Sequence, residues 1–152
     1  MLDLFKVAEV ELVYRTNVPA SERMKISSSR DAYNILFNSW NQDKIDFIEE
    51  SRILLLNRGS KVLGIYNLSS GGMAGTVVDQ KLVFIAALKA NAHSIIISHN
   101  HPSGNTTPSE QDIRLTRNIY QAGKLLDIEL LDHIIVSSNG YYSFADEGIL
   151  GW

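Results

Sequence analysis

Two short, nearly unbroken apolar runs constrain this chain more than any other feature: SRILLL at 51–56 and HSIIIS at 93–98. A run that does not alternate polar with apolar residues has no face to turn toward water, so each reads as a strand covered on both sides. Leu130 to Ser137 reads as a further strand. The segments between them carry the helical period. Leu82, Ile85, Ala86 and Leu88 recur at that spacing between Gln80 and about Asn91, behind Asp79 as a cap. Leu115, Ile119, Ala122 and Leu126 do the same in a stretch that Ser109 opens and that runs to about Leu125. Asn57-Arg58-Gly59-Ser60 is a turn leading into a partner strand over 61–67, and Asn139-Gly140 is a hairpin signal ahead of Tyr141–Phe144. Gly71, Gly72 and Gly75 mark a loop; no Lys-Ser/Thr follows them, so they read as turn glycines rather than a phosphate loop. This alternation predicts a mixed α/β (α+β) fold, a sheet flanked by helices.

A chain of 152 residues suits one domain and buries roughly 70% of its unfolded surface. It needs neither disulfide nor structural metal to fold, so a metal here would serve chemistry. The absence of cysteine excludes disulfide scaffolds, Cys-rich zinc modules and thiol nucleophiles, and fits a reducing compartment. No stretch approaches the ~20 apolar residues of a membrane span. Met1 to Lys6 lacks a basic region followed by an apolar core, so the expected home is the cytoplasm. With a net charge of −3 and fourteen Lys and Arg spread without a run, the composition counts against a primary nucleic-acid role. At the N-terminus, 9–15 (EVELVYR) reads as a strand, and Ser28-Ser29-Arg30-Asp31 precedes a helix over AYNILFNSW. Residues 1–45 are expected to form a strand-helix extension to a main domain over 46–152.

The chemistry concentrates between His99 and Asp112. His99 and His101 stand two apart at a strand end, so alternation points both imidazoles the same way. Asp112 falls in the first turn of the next helix, and the loop with Pro102, Gly104 and Pro108 can fold that turn back over the strand end. Two His and one carboxylate with a position left for water form the catalytic zinc pattern. Ser109-x-x-Asp112 is equally a helix cap followed by an acid where the dipole favours it. From the residues alone both readings stand, and they are compatible: Ser109 can cap the helix and still present a hydroxyl. His93 reads as structural, and the sequon at Asn105 as accidental.

His99-x-His101, seven residues, then Ser109-x-x-Asp112 resembles the signature of the JAMM (MPN+) metalloproteases. The longer text SHNHPSGNTTPSEQD, with DHIIV and YYSFADEG downstream, is similar to the bacterial RadC-like JAB domain over about residues 45–150. The resemblance implies a cytidine-deaminase-like/JAB sheet flanked by helices, with a metal site where a strand end meets a helix N-terminus. It implies one Zn2+ per chain held by His99, His101 and Asp112, with Ser109 stabilising an oxyanion. An upstream glutamate would be the general base. Glu49 matches by its spacing to Asn57, with Glu50 adjacent and only one of the two able to face the site. The implied substrate is a peptide or an isopeptide-linked protein. Asp132-His133 recurs in the pattern, and His133 is open to a role behind the ligands or to a plain structural one. Two other functions compete. The RadC-like family carries a DNA-repair name, which suggests a DNA-associated protein without peptidase activity, yet no helix-hairpin-helix-like segment precedes residue 45. A non-catalytic interaction module on the same fold is the other, and the intact His99, His101, Ser109 and Asp112 speak against it.

Overall fold

The computed structural model describes residues 6–71 and 78–151. The two apolar runs become β1 (Glu50–Leu56) and β3 (Ser94–Asn100), adjacent in a five-stranded sheet of order β2-β1-β3-β4-β5. The other strands are β2 (Val62–Ser70), β4 (Glu129–Ser137) and β5 (Gly140–Ser143), and the helices are α1 (Ser29–Ser39), α2 (Gln80–Lys89) and α3 (Glu110–Leu125). Every residue of β3 is buried, and so is every residue of β1 after Glu50. β3 and β4 run parallel, while the other neighbours are antiparallel. A parallel pair cannot be closed by a tight turn, so α3 crosses between them. The first turn of α3 therefore lies just beyond the carboxyl end of β3, where open α/β sheets place their ligands.

Alternation along the strands builds two cores. Ile53, Leu55, Ile95 and Ile97 face α2 and α3, where they meet Val83, Phe84, Ala87 and Ile119. Leu54, Leu56, Ile96, Ile134 and Val136 face the other way and meet Ala32, Leu36, Trp40 and Ile45. Helix α1, set apart by the sequence reading in a 1–45 extension, thus packs directly on the sheet. Arg52 anchors its end: the guanidinium lies 4.3 Å from the Trp40 ring centroid and donates to the Ser39 hydroxyl (2.7 Å) and carbonyl. Ser28 caps α1 by accepting from the Asp31 amide.

Three expectations are corrected or left aside. Residues 9–15 are not a strand: among the described residues the segment forms no ladder, and Val10, Leu12 and Val13 are exposed. Tyr14 packs against the core and its hydroxyl donates to the Leu63 carbonyl, which ties the segment to β2 without backbone pairing. The β4–β5 hairpin turns one residue earlier than the Asn-Gly pair suggests. Gly140 pairs with Ser137, and the Ser137 hydroxyl spans the turn by accepting from the Asn139 amide and donating to the Gly140 carbonyl. Of the loop glycines, Gly72 and Gly75 lie outside the described residues.

Candidate metal centre

His99 ends the buried, odd-numbered face of β3 that points toward α3, and His101 lies one residue past the strand. Their Nε2 atoms approach to 2.9 Å. Asp112 reaches both from the first turn of α3, Oδ1 at 3.2 Å from His99 Nε2 and Oδ2 at 3.3 Å from His101 Nε2. The helix start is fixed by a reciprocal cap. Ser109 Oγ accepts from the Asp112 amide (3.0 Å), and Asp112 Oδ2 accepts from the Ser109 amide (2.9 Å). One carboxylate thus caps the helix and faces two imidazoles, so the cap does not turn Asp112 away from them.

Glu49 Oε1 stands 3.9 Å from His99 Nε2, and donor atoms of Glu49, His99 and His101 all lie within 4.8 Å of one another. The register explains why Glu49 and not Glu50 faces the imidazoles. Ser51 pairs with His99 in the antiparallel β1–β3 ladder, so Glu49, two residues earlier, falls on the same face opposite His101. Glu50 turns away toward Arg52, 3.6 Å distant.

The hydrogen-bond partners fix the imidazole tautomers. His101 Nδ1 lies 2.7 Å from the Asn105 carbonyl, which can only accept, so Nδ1 carries a proton and, in the neutral imidazole, Nε2 is a lone pair. For His99 the constraint runs through two further residues. The Thr116 hydroxyl donates to the Asp112 carbonyl (2.6 Å), so its oxygen accepts from His133 Nδ1 (2.6 Å). His133 Nε2 must then accept from His99 Nδ1 (2.8 Å), which leaves His99 Nε2 as a lone pair as well. Two lone pairs and a carboxylate converging at these distances repel one another unless a cation or a proton lies among them. In a tetrahedral zinc site with Zn–N of ~2.0–2.1 Å, neighbouring donors stand about 3.3 Å apart. The observed separations of 2.9, 3.2 and 3.3 Å fit such a donor set. Glu49, at 3.9 Å, lies slightly outside it.

Without a cation, the electrostatics favour a proton between His101 and Asp112. Burial pulls the His101 imidazolium down, but Asp112 and the Asn105 carbonyl outweigh it and raise His101 above its ordinary value. Burial pushes the Asp112 carboxyl up, but His101, His99 and the Ser109 amide prevail and hold it well below the usual carboxylate range. His133, fully buried and beside His99, is depressed well below its ordinary value, which keeps it neutral as the relay requires. Phe144 stacks on its ring at 4.6 Å. The preceding Asp132 accepts from Ser143 Oγ and from the His133 and Ala145 amides, which pins the turn that carries Phe144.

The depressed His133 has a measurable consequence. A histidine whose folded value lies below its unfolded ~6.5 contributes stability that is intact above that pH and lost as pH falls below it. Raised His101 acts in the opposite sense and loses its contribution above that pH, while depressed Asp112 is lost only near and below ~4. As pH falls below ~6.5, the chelator-treated protein is expected to lose stability through His133, with a slope of at most ~1.4 kcal/mol per pH unit. Urea midpoints across that range check this, and His133→Gln should remove that share of the slope.

Of the residues behind the two imidazoles, the sequence offered His133 with its role left open and gave no sign of Thr116. Nothing marks Thr116 as more than a helix residue, and His133 faces His99 only because β4 holds an irregularity. Ile95 and Ile96 of β3 pair with Leu130 and Asp132, so Leu131 is the extra residue, and His133 turns to the His99 side as a result.

A five-stranded mixed sheet flanked by helices, with imidazoles and carboxylates gathered at a strand end and a helix start, defines a protein of the JAB type. The RadC-like JAB domain model matches residues 26–149, and the chain belongs to that family. It is 43% identical to a UPF0758 protein of Flavobacterium johnsoniae over 146 residues, 94% of this chain and 62% of that relative. Similar proteins of the same name in Porphyromonas gingivalis and Alkaliphilus metalliredigens are 42% and 38% identical, each over 95% of this chain and 63% and 61% of their own length. The chain therefore spans less than two thirds of these curated relatives. Among the described residues no helix is long and apolar enough to cross a membrane.

Proposed function

We propose that this chain is a zinc-dependent hydrolase of amide bonds, a peptidase or isopeptidase acting on a peptide or an isopeptide-linked protein. One observation carries the reading: the partners of His99 and His101 leave both Nε2 lone pairs pointing together, beside the Asp112 carboxylate. His99, His101 and Asp112 would hold the ion. Nitrogen and oxygen donors without sulfur suit zinc.

Bound zinc lowers the pKa of a water molecule to about 7 and polarises a carbonyl, which supplies a nucleophile at neutral pH. Glu49 is close enough to the imidazole nitrogens to accept a proton from an attacking water and return it to the leaving amine. Ser109 uses its oxygen lone pair for the helix cap and keeps its hydroxyl proton free, on the exposed side of the site, to donate to a developing oxyanion.

Metal analysis of the purified protein, together with hydrolysis of a panel of peptide and isopeptide-linked substrates with and without a chelator, tests this. Hydrolysis that requires metal is the expected result; a protein that takes up no zinc overturns the reading. For Ser109 the cap and the hydroxyl can be separated. Gly at an N-cap costs only a few tenths of a kcal/mol and carries no hydroxyl, so Ser109→Gly is expected to keep stability within ~0.5 kcal/mol. Zinc affinity should stay unchanged, while turnover should fall about 10²–10³-fold, the loss typical of one oxyanion donor. Equal turnover would remove Ser109 from the mechanism.

A further inference from the structure

We propose that Asn100, the residue between the two histidines, is a positioning residue that holds Glu49 at the metal centre; this rests on the reading of Glu49 as the base. Strand alternation sends His99 toward α3 and Asn100 to the opposite face of β3, where its side chain is completely buried. There it meets the chain that leads into β1. Asn100 Nδ2 donates to the Ile45 carbonyl (2.7 Å) and the Ile48 carbonyl (2.9 Å), and Oδ1 accepts from the Glu50 amide (2.7 Å). These bonds bracket Glu49 on both sides. The Glu49 carbonyl is tied separately, by the Gly71 amide at 2.9 Å.

The chemistry of the side chain matches the task. Residues 41–48 form a tight helical turn, with the Lys44 and Ile45 amides bonded to the Asn41 carbonyl and the Phe47 and Ile48 amides to the Lys44 carbonyl. The Ile45 and Ile48 carbonyls come late in that turn and need donors from elsewhere. An amide side chain supplies two N–H donors and a carbonyl acceptor, and all are used here. Aspartate would set a carboxylate against two carbonyls, and alanine would leave three buried backbone groups without these partners. A single residue of β3 therefore links the ligand strand to the segment bearing Glu49: its neighbours point at the metal centre, and it fixes the carboxylate that faces them.

The test compares wild type with Asn100→Ala, and with Ser98→Ala as a control for general loosening. Ser98 lies on the same face of the same strand, buried, and donates to the Ile134 carbonyl at 2.7 Å, away from Glu49. Three readouts are taken: nuclear Overhauser contacts from the Glu49 γ protons to the His99 ring, hydrogen exchange at the Glu50 amide, and affinity for Zn2+ alone. In Asn100→Ala the Overhauser contacts should vanish and the Glu50 amide should exchange about tenfold faster, the effect of one lost buried hydrogen bond. Zinc affinity should stay within about threefold, because His99, His101 and Asp112 are placed by β3 and α3 while outer partners alone cost ~10-fold or more. Ser98→Ala should keep the contacts. Persistence of the contacts in Asn100→Ala overturns the proposal, and so does a fall in zinc affinity as large as that of a ligand variant, which would make Asn100 a support of the whole strand end. If the alanine variant does not fold, Asn100→Asp decides on the Overhauser contacts and zinc affinity, since it retains the acceptor for the Glu50 amide and loses both donors. A wild type that binds no zinc would sink the hydrolase reading, but the Overhauser comparison would still decide whether Asn100 holds Glu49.

Discussion

Zinc binding is expected to collapse in both His99→Ala and Asp112→Asn, by more than the ~10–100-fold that loss of a residue behind a metal ligand costs. The second substitution is chosen to separate two roles. Asp112 caps α3 through Oδ2 while its oxygens face both imidazoles. Asparagine keeps an acceptor for the Ser109 amide but removes the charge. If the carboxylate served only the cap, Asp112→Asn would bind zinc like wild type. Thr116→Val gives the graded comparison. It removes the acceptor that fixes His133 and, through it, the His99 tautomer, so its zinc affinity should fall by about 10–100-fold and no further. Competition against a chromophoric chelator measures all three. Thermal unfolding gives an independent reading: a ligand at 100 times its Kd adds about 2.7 kcal/mol to stability. That gain should appear in wild type and be absent from the His99 and Asp112 variants. Equal zinc stoichiometry and affinity across the set would dismiss these side chains as ligands.

What could be read in advance follows from how far each feature reaches along the chain. β1 and β3 were legible because a strand buried on both faces records it in its own residues, as 51–56 and 93–98 do. The start of α3 was legible because a cap is a local bargain between Ser109 and Asp112, three residues apart. His99 and His101 could be paired for the same reason. The remainder depends on register, which no local pattern carries. Glu49 and Glu50 are indistinguishable until Ser51 is known to pair with His99. His133 reaches His99 only through the extra residue in β4, and Asn100 meets Ile45 and Ile48 across more than fifty positions of sequence. The packing of α1 on Leu54 and Ile134 is long-range in the same way. Segment 9–15 shows the converse: a strand-like alternation does not make a strand where no ladder forms.

Glu49→Gln is expected to keep zinc affinity within a few-fold and to lower hydrolysis by 10²–10⁴, the range that general acid–base catalysis contributes. Glutamine matches the shape of glutamate and can still hydrogen-bond, but it cannot accept a proton from water, so the variant isolates proton transfer from placement. Glu50→Gln is the internal control. Its carboxylate faces Arg52 rather than the imidazoles, so turnover should be unchanged. The pair also decides between two roles for Glu49 that the distances leave adjacent. Its carboxylate lies 3.9 Å from His99 Nε2, and its donor atom stands within 4.8 Å of both imidazole donors, near enough to be considered as a ligand itself. A ligand lost to an amide would weaken zinc binding as strongly as Asp112→Asn does, whereas a base would leave binding intact and lose turnover alone. Metal titration and kinetics on the same preparation therefore separate ligand from base. Full turnover in Glu49→Gln, or turnover lost only in Glu50→Gln, would show that the β1–β3 register puts the wrong carboxylate at the site and would remove the proton-transfer scheme built on it.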